Sequence, residues 1–268
     1  MVVRWLIFAL ALMQSTIGFS AIFGADDRIA VSPRATEGQS VGTAIYGGRR
    51  TTAFLVDECF AVTSQHLVSS VADPLGQAVG LVFGKDQLSG RAVRAGHMER
   101  EQHGYRDDWL LLELDQCRRN TPVLELADAE TARADLLLGA GLQLTAIGYP
   151  SDLDRLVMDP DCRIHLAASW GLLNDCAAQP GSSGSPLVVR HGNRLVAYAI
   201  QSAALPTTAA EAFTTERGNI ATPVAAVRQA LLEERWRLLT ARWAEHRSKG
   251  GWVSHHAAAE NLVTYSRL

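Results

Sequence analysis

An all-β fold, a sandwich or barrel of antiparallel strands with a helix at its end, is what this sequence predicts, and three observations predict it. From about Val41 to Val224 the chain is a succession of short apolar runs, among them TAIYGG, TTAFLV, CFAVT, AVGLVFG, WLLLEL, LQLTAIGYP, SPLVVRHGN and RLVAYAIQS. Gly, Pro, Asp and Asn break them at the spacing of an antiparallel sheet, and the pattern argues against alternating βαβ units. Beyond Thr222 the period changes, and Leu232, Trp236, Leu239 and Trp243 recur at helical spacing. With 47% of its 268 residues apolar, the chain can bury a substantial core as one large all-β domain or two small ones.

Residues 1–20, MVVRWLIFALALMQSTIGFS, have one charge at Arg4, an apolar run from Trp5 to Met13, then polar and small residues with Gly18 and Ser20 before a possible cut. That is the layout of a secretory signal peptide. No later segment is apolar enough to span a bilayer, so no stable membrane span is expected after signal removal. Within the strand region, VVRHGNRLVAYAI reads as a hairpin turning at Gly192-Asn193. The stretch DAETARADLLLGA holds a short helix or links two halves. Residues 223–248 read as the C-terminal helix, with Thr222 as its cap, Pro223 in its first turn and the Trp stripe as its core face. Residues 249–268 form a tail in which His255-His256 reads as a solvated pair.

A formal charge of −3 and the lack of a long basic run argue against nucleic acid as a partner. Four cysteines, Cys59, Cys117, Cys162 and Cys176, read as two disulfides in an exported chain, and three pairings are open. No C-x-x-C occurs and no His/Cys spacing suits zinc, so neither metal nor cofactor is expected.

The chemistry sits in CAAQPGSSGSPLVV, residues 176–189, where serines are framed by glycines just before a strand. A serine hydroxyl is a weak nucleophile at neutral pH; it needs a neighbouring base, and an imidazole base needs a carboxylate to hold its tautomer. His66, in CFAVTSQHLVSS, directly follows a β-type run, whereas His97 and His103 sit among polar residues. Asp108, in YRDDWLLLEL, directly precedes one, with Asp107 beside it. The order His66, Asp108, Ser183 is not that of an α/β-hydrolase, which places Ser first and wants glycine where Ser185 stands.

These contexts resemble the trypsin-like serine peptidases. VTSQHLV resembles LTAAHC, DDWLLLEL resembles DIALLxL, and GSSGSPLV resembles GDSGGPLV. The likeness is greatest to a bacterial secreted branch that includes the glutamyl endopeptidases, which commonly have GxSGSP and often begin with a segment like FGADDR, here Phe23 to Arg28. It covers roughly residues 22 to 225. What it implies is two antiparallel six-stranded β-barrels, one at about 38–118 and the other at about 130–225 of a peptidase domain spanning 21–225, with the active site between them. His66 would be the general base, Asp108 its orienting carboxylate and Ser183 the nucleophile; the register Gly-x-Ser-Gly prefers Ser183 to Ser182. Gly181 and Ser183 would donate backbone N–H groups to the oxyanion, each worth about 2.7–4 kcal/mol of transition-state stabilisation.

The same resemblance implies a primary pocket at Ala177, Ala178, Gln201, Ser202 and Ala203. No carboxylate stands at Ala177, where cleavage after Lys or Arg needs one, and Gln201 replaces the histidine on which glutamyl specificity leans. A neutral P1 preference is the expectation. The relatives pair the cysteines corresponding to Cys162 and Cys176, which leaves Cys59 with Cys117. Stepping back from His66 and forward from Asp108 along antiparallel neighbours brings those two together. Ser182 stands where many relatives carry the carboxylate that pairs with a newly cut N-terminal ammonium, so the oxyanion hole is expected to form without that pair. Ser64-Gln65 replaces two small residues before the histidine and is expected to crowd the strand end. The function expected is an exported, secreted or periplasmic serine endopeptidase acting on protein or peptide substrates. The alternative is a trypsin-fold binding protein that has lost activity.

Overall fold

Two closed rings of strands organise the chain. A computed structural model describes residues 21–97, 107–128, 142–204, 214 and 218–248. The sequence segments 1–20 and 129–141 and the tail 249–268 lie outside them, as does His103.

The first ring contains β2 (Val41–Tyr46), β3 (Arg49–Asp57), β4 (Phe60–Thr63), β5 (Ala78–Phe83), β6 (Asp86–Ala95) and β7 (Leu110–Leu114), in the spatial order β2-β3-β4-β7-β6-β5. Alternation along these strands sends Ala53, Leu55, Ala61, Val79, Leu81, Phe83, Ala92, Leu110, Leu112 and Leu114 into one core. In β3 the residues between them, Thr52, Phe54 and Val56, are buried as well, so this strand is covered on both faces.

The second ring contains β9 (Leu142–Gly148), β10 (Val157–Ala168), β11 (Gly171–Asn174), β12 (Pro186–His191), β13 (Arg194–Ala204) and β14 (Asn219–Pro223). Pairing of β9 with β10 closes it in the order β9-β10-β11-β14-β13-β12. The architecture is therefore the pair of six-stranded antiparallel barrels that the resemblance implied. The β12–β13 hairpin turns at Gly192-Asn193 as read from sequence, with His191 facing Arg194 and Gly192 at φ 61°.

Two additions had no periodicity to reveal them, because each is two residues long. Strand β1 (Ile29–Ala30) pairs with Met158 and Val157 of β10, so a segment preceding the first barrel is stitched to the second. Strand β8 (Glu125–Leu126) runs parallel to β13.

Disulfides join Cys59 to Cys117 and Cys162 to Cys176. The first ties the far ends of β4 and β7, where Leu114 N–H also donates to the Cys59 carbonyl. Their sequence separations of 58 and 14 residues correspond to about 4 and about 3 kcal/mol of chain-entropy stabilisation respectively.

The residues group into two units that divide between Arg228 and Gln229. The short helix α1 (Thr36–Ser40) lies in the first, and the long helix α2 (Ala225–Ser248) crosses the division. Helix α2 begins later than the sequence suggested. Thr222 and Pro223 are the end of β14, paired with Ile200 and Ala199 of β13; the missing N–H of Pro223 is tolerated there because pairing with β11 has already stopped at Ala221. The tryptophan stripe is also corrected: Trp236 is 55% exposed and Trp243 44%. The buried stripe is Val227, Ala230, Leu231 and Glu234, on nearly the opposite side of the helix from the tryptophans, about 160° round. Among the described residues no helix is long and apolar enough to cross a membrane.

Candidate active site

Strands β4 and β7 are antiparallel neighbours, with Thr63 opposite Leu110. Residues just after β4 and just before β7 must therefore meet at the same end of the first barrel. After Ser64 the chain makes a single 3-10 turn, Gln65–Val68, and the burial of Leu67 and Val68 in the barrel core fixes it. His66 stands on that turn with its side chain 19% exposed, against a fully buried Asp108. The His66 backbone N–H donates to Asp108 Oδ1 at 2.9 Å, and Nδ1 lies 2.6 Å from Oδ2. Asp108, not Asp107, thus takes both contacts, which set the imidazole's orientation and put its proton on Nδ1.

A third donor, the Ser202 hydroxyl, also reaches Asp108 Oδ2. Burial opposes ionisation of Asp108, but the His66 charge and the hydrogen bonds from His66 and Ser202 outweigh it and hold the carboxyl below its ordinary value of 3.8. An ionised, triply bonded carboxylate is what an imidazole needs if it is to accept a proton at Nε2.

Ser183 lies on the turn Gln179–Ser185, between β11 and β12. The carbonyls of residues 180–183 all accept hydrogen bonds, three from outside the turn and one from within it. Pro180 O accepts Ser151 N–H (2.7 Å), Gly181 O accepts the Thr52 hydroxyl (2.9 Å), Ser182 O accepts Ser185 N–H (2.9 Å) and Ser183 O accepts Thr52 N–H (2.8 Å). The N–H groups of Gly181 and Ser183 donate to nothing among the described residues. Two N–H groups left free on one turn are able to serve as oxyanion donors. The turn depends on glycine twice. Gly181 has φ +93°, and a Cβ there would lie 2.6 Å from Tyr149 O; Gly184 has φ +85°, and a Cβ would lie 2.0 Å from Thr52 O.

The Ser183 hydroxyl donates to the Ser202 carbonyl at 3.3 Å, and no hydrogen bond to His66 Nε2 is formed. Ser202 therefore bridges the three: its hydroxyl holds Asp108 and its carbonyl holds Ser183. Such contacts are often long before substrate binds and tighten afterwards. Ser64 does not crowd the strand end. It is fully buried and donates to Gln201 O at 3.3 Å, a hydrogen bond from the first barrel to the second.

The residues expected to form the pocket come from two places, Ala177 and Ala178 after β11, and Gln201, Ser202 and Ala203 on β13. Gln201 is buried and its Nε2 donates to Ala203 O (3.1 Å) and Ile220 O (3.3 Å), across the bulge between β13 and β14. Behind Ala177 sits a carboxylate that sequence reading missed. Asp159 of β10 is 6% exposed, and its Oδ2 accepts Ala177 N–H at 2.6 Å. Burial pushes its pKa above 3.8; hydrogen bonds from Ala177 and Asp161 N–H oppose this, and Asp27 and Asp175 add to it. A raised value means that its contribution to stability is complete below 3.8 and is lost as pH rises through the folded value. Asp159→Asn, which keeps an acceptor for Ala177, is therefore expected to melt higher than the parent at neutral pH. The gain should vanish as the pH approaches the ordinary carboxylate range, and a gain that persisted there would contradict the assignment.

Thr52 was missed as well, because nothing in TTAFLV distinguishes a scaffold threonine from one that holds the serine turn. It accepts Tyr149 N–H, and it donates to Gly181 and Ser183.

Two six-stranded barrels, with a carboxylate-bound histidine on one and a glycine-framed serine on the other, define a serine endopeptidase. The chain belongs to the trypsin family, whose model matches residues 31–231. Among solved structures it is similar to a Glu endopeptidase in complex with MPD, with 14% identity and a TM-score of 0.59 over 78% of this chain and 99% of that one. No curated protein is a significant match in sequence.

Proposed function

We propose that this peptidase hydrolyses peptide bonds through His66, Asp108 and Ser183 and an acyl-enzyme intermediate. The observation that carries the reading is the Ser183 turn, in which the carbonyls of Pro180, Gly181, Ser182 and Ser183 are all hydrogen-bonded and the N–H groups of Gly181 and Ser183 are left free. His66 Nε2 takes the Ser183 proton as Oγ attacks the carbonyl carbon. The developing oxyanion accepts from the two N–H groups, and Asp108 stabilises the imidazolium that forms. His66 then returns the proton to the leaving amine, and water repeats the sequence on the acyl-enzyme. A fluorophosphonate probe tests this directly: stoichiometric labelling at Ser183 is expected, and an unlabelled, folded protein would refute the reading.

The P1 preference we infer is neutral. Ala177 offers no charge at the pocket base, the Gln201 amide nitrogen is committed to two backbone carbonyls, and Asp159 is engaged with Ala177 N–H behind the base. Cleavage of a peptide library should favour uncharged residues at P1; products ending mainly in Arg, Lys or Glu would overturn the inference. Export is part of the same reading. Residues 1–20 have the signal-peptide layout, and two disulfides suit a secreted or periplasmic protein.

A further inference from the structure

We propose that Arg28 is a positioning residue for the oxyanion hole, acting through Asp152 on the turn that fixes the Pro180–Gly181 peptide. The proposal rests on the serine-peptidase mechanism above and names a part of it that lies before the first barrel.

The Gly181 N–H belongs to the peptide unit whose carbonyl is that of Pro180. In a planar trans peptide the N–H and C=O point in opposite directions, so whatever holds the carbonyl aims the N–H. The holder is Ser151 N–H, 2.7 Å from Pro180 O. Ser151 belongs to a tight turn in which Leu153 and Asp154 N–H both donate to Pro150 O (3.4 and 3.1 Å) and Asp154 has φ 46°. The turn is exposed at Ser151, Asp152, Asp154 and Arg155. Left to itself, an exposed turn would be a poor reference point for a hydrogen bond on which catalysis depends.

It is not left to itself. Asp152 is gripped by Arg28 through Nη1–Oδ1 (3.2 Å) and Nη2–Oδ2 (2.6 Å), and the same guanidinium forks Asp26 through Nε–Oδ1 and Nη2–Oδ2, both 2.8 Å. Two bidentate carboxylates on one guanidinium give a directional clamp, and hydrogen bonds between charged groups are the strong ones. The Arg28 side chain is 3% exposed, so the clamp is sheltered, unlike the second tether of the turn, Arg50 to a 79%-exposed Asp154. The backbone beside Arg28 is fixed too, because β1 begins at Ile29 and Val31 N–H donates to Leu156 O at 3.0 Å. Arg28 also shares a cavity behind the serine turn with Pro150, Ala177 and Ser182. Ser182 closes that turn with an uncharged contact, its hydroxyl accepting Gln179 N–H at 3.1 Å. The charged brace of the hole is thus Arg28.

The test compares Arg28→Ala, Asp152→Ala and the double variant with the parent. It measures kcat, KM, affinity for a peptide aldehyde whose hemiacetal oxygen occupies the hole, and fluorophosphonate titre. Loss of aim at one donor should lower kcat and aldehyde affinity about ten- to a hundredfold. KM should stay within about twofold, because the interaction is made in the transition state. The double variant should be no worse than either single one, since both break one linkage. Unchanged kcat per titrated site in both single variants would overturn the proposal, as would a loss confined to KM or to the folded fraction. If Arg28→Ala fails to fold, Asp152→Ala decides, because that carboxylate is 38% exposed and its removal leaves Arg28 paired with Asp26. A parent that does not label overturns the mechanism and this proposal together; a parent that labels, with variants that match it, overturns this proposal alone.

Discussion

Ser183→Ala and His66→Ala are each expected to lower kcat by about 10⁶-fold, and together to cost no more than either alone, since nucleophile and base act as one unit. Neither change should unfold the protein. His66 is partly exposed, and the Ser183 hydroxyl makes a single 3.3 Å contact with the Ser202 carbonyl, whereas the backbone of its turn is held by Thr52, Ser151 and Ser185. Melting temperatures should therefore stay close to that of the parent. Fluorophosphonate labelling that survived in Ser183→Ala would move the nucleophile elsewhere, and Ser182 would be the first place to look.

Asp108→Asn should have the next largest effect, about 10⁴-fold in kcat. Three donors converge on this carboxylate: His66 N–H, His66 Nδ1–H and the Ser202 hydroxyl. An asparagine has one acceptor oxygen for them. Its NH₂ must face either the His66 backbone N–H, a second donor, or Nδ1 and the Ser202 hydroxyl together, and facing Nδ1 it would select the tautomer that leaves the proton on Nε2, where the base must be free. The pH dependence has a definite sign as well. Because the folded Asp108 is held below 3.8, the stability it contributes is present above that value and is lost as pH falls through the folded one. The variant should therefore lack that part of the parent's acid denaturation. An Asp108→Asn enzyme with near-parental kcat would leave the 2.6 Å contact without a catalytic purpose.

What was legible in the sequence is what local pattern encodes. The strands announced themselves by period and punctuation, the β12–β13 hairpin by its Gly-Asn turn, and the three site segments by residue types at strand ends. What was not legible depends on contacts between residues far apart in the chain. Thr52 reads as one more β-branched strand residue until a turn some 130 positions later closes on it. Asp159 stands in no motif, and nothing local to MDPDC shows that it lies buried in a strand behind Ala177. Helix α2 was placed too early because Thr-Pro is a helix start wherever a neighbouring strand has no claim on it, and here Ala199 and Ile200 have one. The tryptophan stripe misled for a related reason: apolar residues stand on both sides of this helix, Val227, Ala230 and Leu231 on one and Leu232, Trp236 and Trp243 on the other, and tertiary context alone chooses which is buried.

Thr52 has a consequence for the order of events as the chain leaves the ribosome. Domains tend to fold as units from the N-terminus onward during synthesis, so the barrel carrying Thr52, His66 and Asp108 can close while the serine turn is still unmade. The turn cannot take its working shape alone, because the carbonyls of Gly181 and Ser183 need the Thr52 hydroxyl and N–H as partners. Strand β1, although translated first, must wait for β10 before it has anything to pair with. The Ser183 turn and the pairing of β1 with β10 are therefore expected to form last and together. On the proposed mechanism, a half-made chain would hold His66 and Asp108 without the serine turn they are to act with, and so could not yet cleave the proteins around it.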